Sequence, residues 1–167
     1  MARSRSKKST PELGGGLAFL LSQVGAHSST RFGESLERLG LKPAHAGILR
    51  VIAQTDGLSQ QALGERLGVF PSRLVAVLDE LEERKLVERR DSPGDRRSYA
   101  LYLTRGGRSA HEQIEQIGLE HQNVICAALN ELERAQLTEF LKRIADEQQL
   151  EPGIHPGFRK LGQAECK

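Results

Sequence analysis

Asp95, Arg96 and Arg97 follow Ser92-Pro93-Gly94 where two strand-like segments meet, and this charged tip carries the most specific chemistry in the chain. The arms bear Leu86, Arg90, Leu101 and Leu103, with turn residues Ser92 to Asp95 between them, and this pattern predicts a β-hairpin. A folded core has no use for arginines at a hairpin tip, whereas the narrow, negative minor groove of DNA attracts them. Gln60 and Gln61 open a helix, where they either donate to a phosphate or stand as exposed surface residues. Arg73 has Ala76 and Val77 at helical spacing rather than a carboxylate, which favours a base or phosphate contact over an intrahelical pair.

Other reactive side chains point to less. His111 and Glu115 are four apart, a spacing that presents two metal ligands, but no third close-spaced ligand accompanies them and no metal is expected. His121 falls on an apolar seam, where a lone histidine is structural. Cys126, between Ile125 and Ala127, is expected to be a buried, inert thiol, and Cys166 an exposed one in the tail. There is no nucleophile elbow, dinucleotide fingerprint or phosphate loop, and no strand precedes Gly14-Gly15-Gly16. Neither enzyme activity nor a cofactor is expected.

These side chains need a scaffold, and apolar periodicity supplies one. Leu17, Leu20, Leu21, Val24, Phe32, Leu36 and Leu39 predict a long first helix closed by Gly40. A second helix follows Pro43 with His45, Ile48, Leu49 and Ile52 on one face. Asp56-Gly57 marks a turn, Ser59 is the N-cap of a third helix, and Gly68 ends it. Pro71 starts a fourth helix, whose buried stripe is Leu74, Val77, Leu78 and Leu81 and whose other face holds Ser72, Arg73, Ala76, Glu80 and Glu83. Beyond the hairpin, Thr104 caps a long helix with a seam from Ala110 through Ile114, Ile117, His121, Val124 and Ala128 to Leu132. A last helix carries Leu137, Phe140, Leu141 and Ile144, and two Pro-Gly pairs then stop helix formation.

The fold expected is therefore mainly α with a small antiparallel β-hairpin wing: a winged helix-turn-helix over about 43–103, flanked by long helices over about 17–40 and 104–147. One domain covers 13–150, after a disordered basic tail at 1–12 and before a C-terminal tail at 151–167. The flanking seams exceed what so small a core can cover, and a second copy of the chain is the expected cover. Leu150, Ile154, Phe158 and Leu161 belong either to a frayed terminus or, the preferred reading, to a tail packed on that dimer surface.

The chain has 167 residues and a net charge of +2. Arg3, Arg5, Lys7 and Lys8 fall in the first ten residues without an acid, so the remainder is net negative. DNA contact must then come from local patches. The basic tail is either solvated or an additional DNA contact. No apolar run approaches the ~18 residues of a membrane span, and a cytoplasmic location is expected.

The segments Leu63-Gly-Glu-Arg-Leu-Gly-Val69, Leu78-Asp-Glu-Leu-Glu-Glu-Arg-Lys-Leu-Val-Glu-Arg-Arg90, Asp95-Arg-Arg97 and Leu103-Thr-Arg-Gly-Gly107 together resemble the MarR family of multiple-antibiotic-resistance-type regulators, over about residues 17 to 147. The resemblance implies a homodimeric DNA-binding transcriptional regulator, most often a repressor, that holds a palindromic double-stranded operator and is released by a small-molecule effector. It implies that Arg97 enters the minor groove with Asp95 orienting it, and that Ser72 and Arg73 face base edges in the major groove. His27, Arg31 and His45 are then polar candidates for the effector crevice. Some relatives sense zinc through histidines on the long helix and near the second helix, so a zinc-responsive regulator is the alternative of the same fold; a winged-helix interaction module that does not bind DNA is another. Two positions depart from the family pattern. Lys85 replaces a helix-ending Gly and must accept a left-handed backbone. Phe70 replaces a small polar cap, losing a hydrogen bond worth ~1 kcal/mol that Pro71 partly offsets.

Overall fold

The computed structural model describes residues 15–92 and 95–160. The basic tail, Pro93, Gly94, Leu161 and Cys166 lie outside the described residues, as do the side chains of Asp95, Arg96 and Arg97. The chain forms α1 (Leu17–Glu37), α2 (Pro43–Gln54), β1 (Leu58–Ser59), α3 (Gln60–Leu67), α4 (Pro71–Glu83), β2 (Val87–Ser92), β3 (Asp95–Leu103), α5 (Arg105–Ile125), α6 (Glu131–Glu147) and α7 (Gly157–Lys160).

Local chemistry sets most of these boundaries. Ser59 Oγ accepts from the Ala62 amide at 3.1 Å and starts α3, and Gly68 ends it at φ 63°. Phe70 caps α4 without a side-chain hydrogen bond, and Pro71 presets its first turn. Lys85 adopts φ 57°, which lets the Leu86 amide reach back to the Leu81 carbonyl at 2.9 Å. A left-handed non-glycine costs about 1 kcal/mol. Lys85→Gly is accordingly expected to raise the free energy of unfolding by about that amount in urea titrations.

The sheet has three strands in the order β1-β3-β2, all neighbours antiparallel. The hairpin was legible as two strands; β1 is an addition, two residues that pair Leu58 with Leu101 and Ser59 with Ala100. Too short for alternation to register, it exists because β3 offers an open edge beside the α3 cap. Val87 faces Leu103 across the hairpin and both are buried, so burial fixes the register. Leu36, Leu49, Ile52, Leu63, Leu67, Leu74, Leu78, Leu81 and Leu101 are fully buried in one core, which α5 joins through Ile114 and Ile117.

The expected single helix from Thr104 through Leu132 is two helices. α5 stops at Ile125, and Asn130 opens α6 with a capping box: its side chain accepts from the Glu133 amide at 3.0 Å while Glu133 accepts from the Asn130 amide at 2.9 Å. Ala128 and Leu132 therefore do not extend the α5 seam. Cys126 sits at the C-cap of α5 and is half-exposed rather than buried.

The C-terminal segment also departs from expectation. Phe158 is buried in the core of its own chain, with Ile154 packed beside it, rather than on a dimer surface. Its ring lies so close to α2 that a Cβ on Gly47 would come within 2.2 Å of it. Arg50 secures the same segment by donating to the Gly153 carbonyl at 2.9 Å. Burying a phenylalanine stabilises by about 2 kcal/mol, so Phe158→Ala is expected to lower the unfolding free energy by that much, measured by chemical denaturation. α6 buries none of its residues, and Leu132, Phe140 and Leu141 on it are exposed, as are Leu17, Phe19 and Val24 on α1.

Candidate nucleic-acid interface

α3 and α4 meet at Gly68-Val69-Phe70, and the first turns of α4 face solvent beside β3. The concavity they form with the strand has a volume of about 710 Å³ and is lined by Gln60, Gln61, Gly64, Glu65, Phe70, Pro71, Leu74 and Tyr99. Ser72 is exposed on the first turn of α4. Arg73 is half-buried on the flank, in a groove with Ile48, Val77 and Phe158, and takes part in an interaction within the chain. Gln60 is half-buried, whereas Gln61 is exposed and donates to Glu65 at 2.9 Å.

The wing is fixed to α4 by Arg89, which sequence inspection missed. Its guanidinium donates to Asp79 at 2.7 Å and to Glu82 at 2.5 Å, and its amide donates to Glu82 at 3.3 Å. Burial opposes its charge, but the hydrogen bonds to Asp79 and Glu82 outweigh that and hold Arg89 above the usual arginine value. The signal was present in the sequence: an arginine on a strand arm, seven and ten residues after two helix acids. Toward the tip, Arg90 stacks over Tyr102 at 4.4 Å and pairs with Glu88. The strand register shifts there: Asp91 faces Tyr99, but Ser92 faces Asp95. Arg96, Arg97 and Ser98 are inserted in the backbone on the β3 side of that shift, a bulge at the end of the sheet.

His45 lies elsewhere. It is 2% exposed, with Nδ1 accepting from the Lys42 amide at 3.3 Å and Nε2 donating to Glu80 at 3.1 Å, so both ring nitrogens are engaged. It tethers α2 to α4. His27 and Arg31 are instead exposed on α1 near α5, where Ser28 hydrogen-bonds His121 at 2.9 Å and Phe32 packs on the His121 ring at 5.6 Å. The charges acting on His121 are those of Arg31 and His27, and those acting on His45 are Glu80, Lys42 and Arg84. The three effector candidates therefore divide between two clusters. The His111–Glu115 approach, 3.7 Å, is too long for a hydrogen bond, and among the described residues no group of three metal-ligating side chains occurs.

Burial lowers the affinity of His45 for a proton, outweighing the pull of Glu80, and burial together with Arg31 and His27 lowers that of His121. A histidine that binds its proton less readily when folded stabilises the fold above its unfolded value of about 6.5. That stabilisation is lost as pH falls below this value toward the folded pKa. Hydrogen bonds from Lys42 and His45 depress Glu80, whose contribution is lost only below its ordinary 4.5. Stability is therefore expected to fall between pH 7 and 5, and His45→Gln to flatten but not abolish the slope, as read from urea midpoints.

The family model described as MarR family matches residues 39–98. A Thauera aromatica protein described as a transcriptional regulatory protein for the hcr operon is 41% identical over 105 residues, 63% of this chain and 63% of that protein's length. An HTH-type transcriptional repressor of Mycobacterium tuberculosis is 28% identical over 131 residues, 78% of this chain and 94% of the repressor. Among solved structures, the transcriptional repressor CouR bound to a 23-mer DNA duplex matches with a TM-score of 0.72 at 29% identity, over 84% of this chain and 99% of CouR. A MarR mutant of E. coli complexed with operator DNA matches with a TM-score of 0.67 at 28% identity, over 77% and 92% of the two chains. Helix-turn-helix, wing and flanking helices give the chain the fold of these solved structures, and over residues 39–98 it is similar to the MarR family.

Proposed function

We propose that two copies of this chain bind a palindromic double-stranded operator, repress transcription from it, and are released by a small-molecule effector. The observation that carries this reading is the solvent-facing start of α4 beside a wing that Arg89 holds against the same helix. Relatives of the same fold are bound to DNA. In this reading Ser72 and Arg73 address base edges in the major groove, Gln60 and Gln61 contact phosphates, and Arg96 and Arg97 enter the minor groove with Asp95 orienting the pair. Dimerisation is supported by the apolar faces of α1 and α6, which one chain leaves bare.

His27 and Arg31 are the effector-facing groups, two exposed polar residues four apart on α1 beside the α5 histidine, suited to an anionic head group. His45 acts behind them by positioning α4 through Glu80. An effector wedged near α1 and α5 rotates one reading head against the other, and each base contact so lost costs ~1–3 kcal/mol. The test is a gel shift at graded salt on the DNA flanking the chain's own gene, paired with sedimentation of the free protein. A retarded palindromic fragment and a dimer are expected. A monomer that ignores every such fragment contradicts the proposal.

A further inference from the structure

The exposed start of α4 has an unusual composition for a surface that meets DNA. Phe70 is 63% exposed at the helix cap, Val75 is 37% exposed one turn on, and Ala76 beside it is also exposed. Tyr99, 50% exposed, flanks them across the concavity. Ser72 is the polar group of this face, and Arg73 stands half-buried on its flank. The acids of the later turns are engaged by the protein itself, Asp79 with Arg89 and Glu80 with Lys42 and His45.

Each base pair shows the major groove a pattern of donors and acceptors, and the C5-methyl of thymine is the one apolar group there. Phe70, Val75 and Ala76 themselves, unlike Arg73 on their flank, have no fork with which to grip guanine O6 and N7, and they exclude water from whatever they meet. Resting on the DNA-binding reading above, we infer that Phe70 and Val75 are specificity-determining residues that select thymine by packing on its methyl group at the positions facing α4. The occupant is argued from continuity: this face adjoins the wing of the proposed DNA interface, and relatives of the same fold are bound to duplexes. Phe70 gives up its capping hydrogen bond to hold an aromatic ring in solvent, an exchange that gains the fold nothing and gains a thymine contact.

The experiment starts from duplexes that full-length protein retains from a random-sequence library. The retained duplex is compared with a copy carrying uracil for thymine at the half-site positions facing α4, which removes methyl groups and keeps every hydrogen bond. Burying one methyl changes affinity roughly fourfold, so two half-sites lose about tenfold or more. Phe70→Ser, which restores a favourable cap and should fold, is expected to bind both duplexes within about threefold of each other. Equal binding of the two duplexes by unaltered protein overturns the inference, as does a retained site without thymine at those positions. A Phe70→Ser protein that keeps the thymine preference but changes oligomeric state assigns the face to a second copy and overturns it too. If no duplex is retained at all, the DNA-binding reading itself fails, a result distinct from the others.

Discussion

Arg97→Ala is expected to weaken operator binding by the full-length protein about a hundredfold at matched salt, with an unchanged unfolding midpoint. The register shift after Asp91 puts Arg96 to Ser98 into an inserted stretch at the end of the sheet, outside the paired ladder that holds the wing together. Removing a side chain there takes nothing from the buried Val87–Leu103 pair or from the Arg89 ties to α4. A hydrogen bond to a charged partner is worth about 1.5 kcal/mol at the low end, and the two wings of a dimer give about 3 kcal/mol, a hundredfold. The salt dependence should flatten as well, since fewer phosphates are neutralised. Fluorescence anisotropy on a labelled operator at several salt concentrations measures both. Affinity equal to that of the unaltered protein removes the wing from the interface.

Gly107→Ala is expected to cost at least about 3 kcal/mol of folding stability, above the usual range for overpacking because the obstacle is backbone. A Cβ on Gly107 would stand 1.9 Å from the Leu86 carbonyl oxygen. That oxygen cannot withdraw, because it accepts from the Thr104 amide at 3.1 Å and follows the left-handed Lys85. Thr104 adds to the constraint by accepting from the Gly107 amide at 3.0 Å and donating to the Lys85 carbonyl at 2.6 Å. The junction of α4, hairpin and α5 is thus a point of closest backbone approach. Gly106→Ala meets its first obstacle at 3.2 Å and should cost clearly less. Urea unfolding of both variants gives the comparison; equal midpoints would mean that the junction tolerates a side chain.

What was legible in the sequence follows from what is local. The Ser59 and Thr104 caps and the Gly68 stop depend on residues within one turn and stand as expected, whereas the left-handed Lys85 and the uncapped Phe70 were expected from the family resemblance. The α5 stop was legible but masked, because the apolar spacing through Ala128 and Leu132 continues across the Asn130–Glu133 capping box. Other features join residues far apart. His45 meets Glu80 across 35 positions, and Phe158 packs on Gly47 through the rest of the fold, so neither pairing leaves a periodic trace. His45 sits on an apolar stripe for the same reason as Ile48 and Ile52, and its burial follows from the stripe while its partner does not. Phe70 reads in the sequence only as a missing cap, and its exposure shows an aromatic ring in that place.

Hydroxyl-radical footprinting of the retained duplex tests most directly whether paired reading heads on a symmetric dimer grip DNA. Two equivalent patches of backbone protection are predicted, centred about 10 base pairs apart, each flanked by minor-groove protection from a wing. Protection of one unsymmetric half-site by a single chain, or protection without the flanking minor-groove signal, would contradict it.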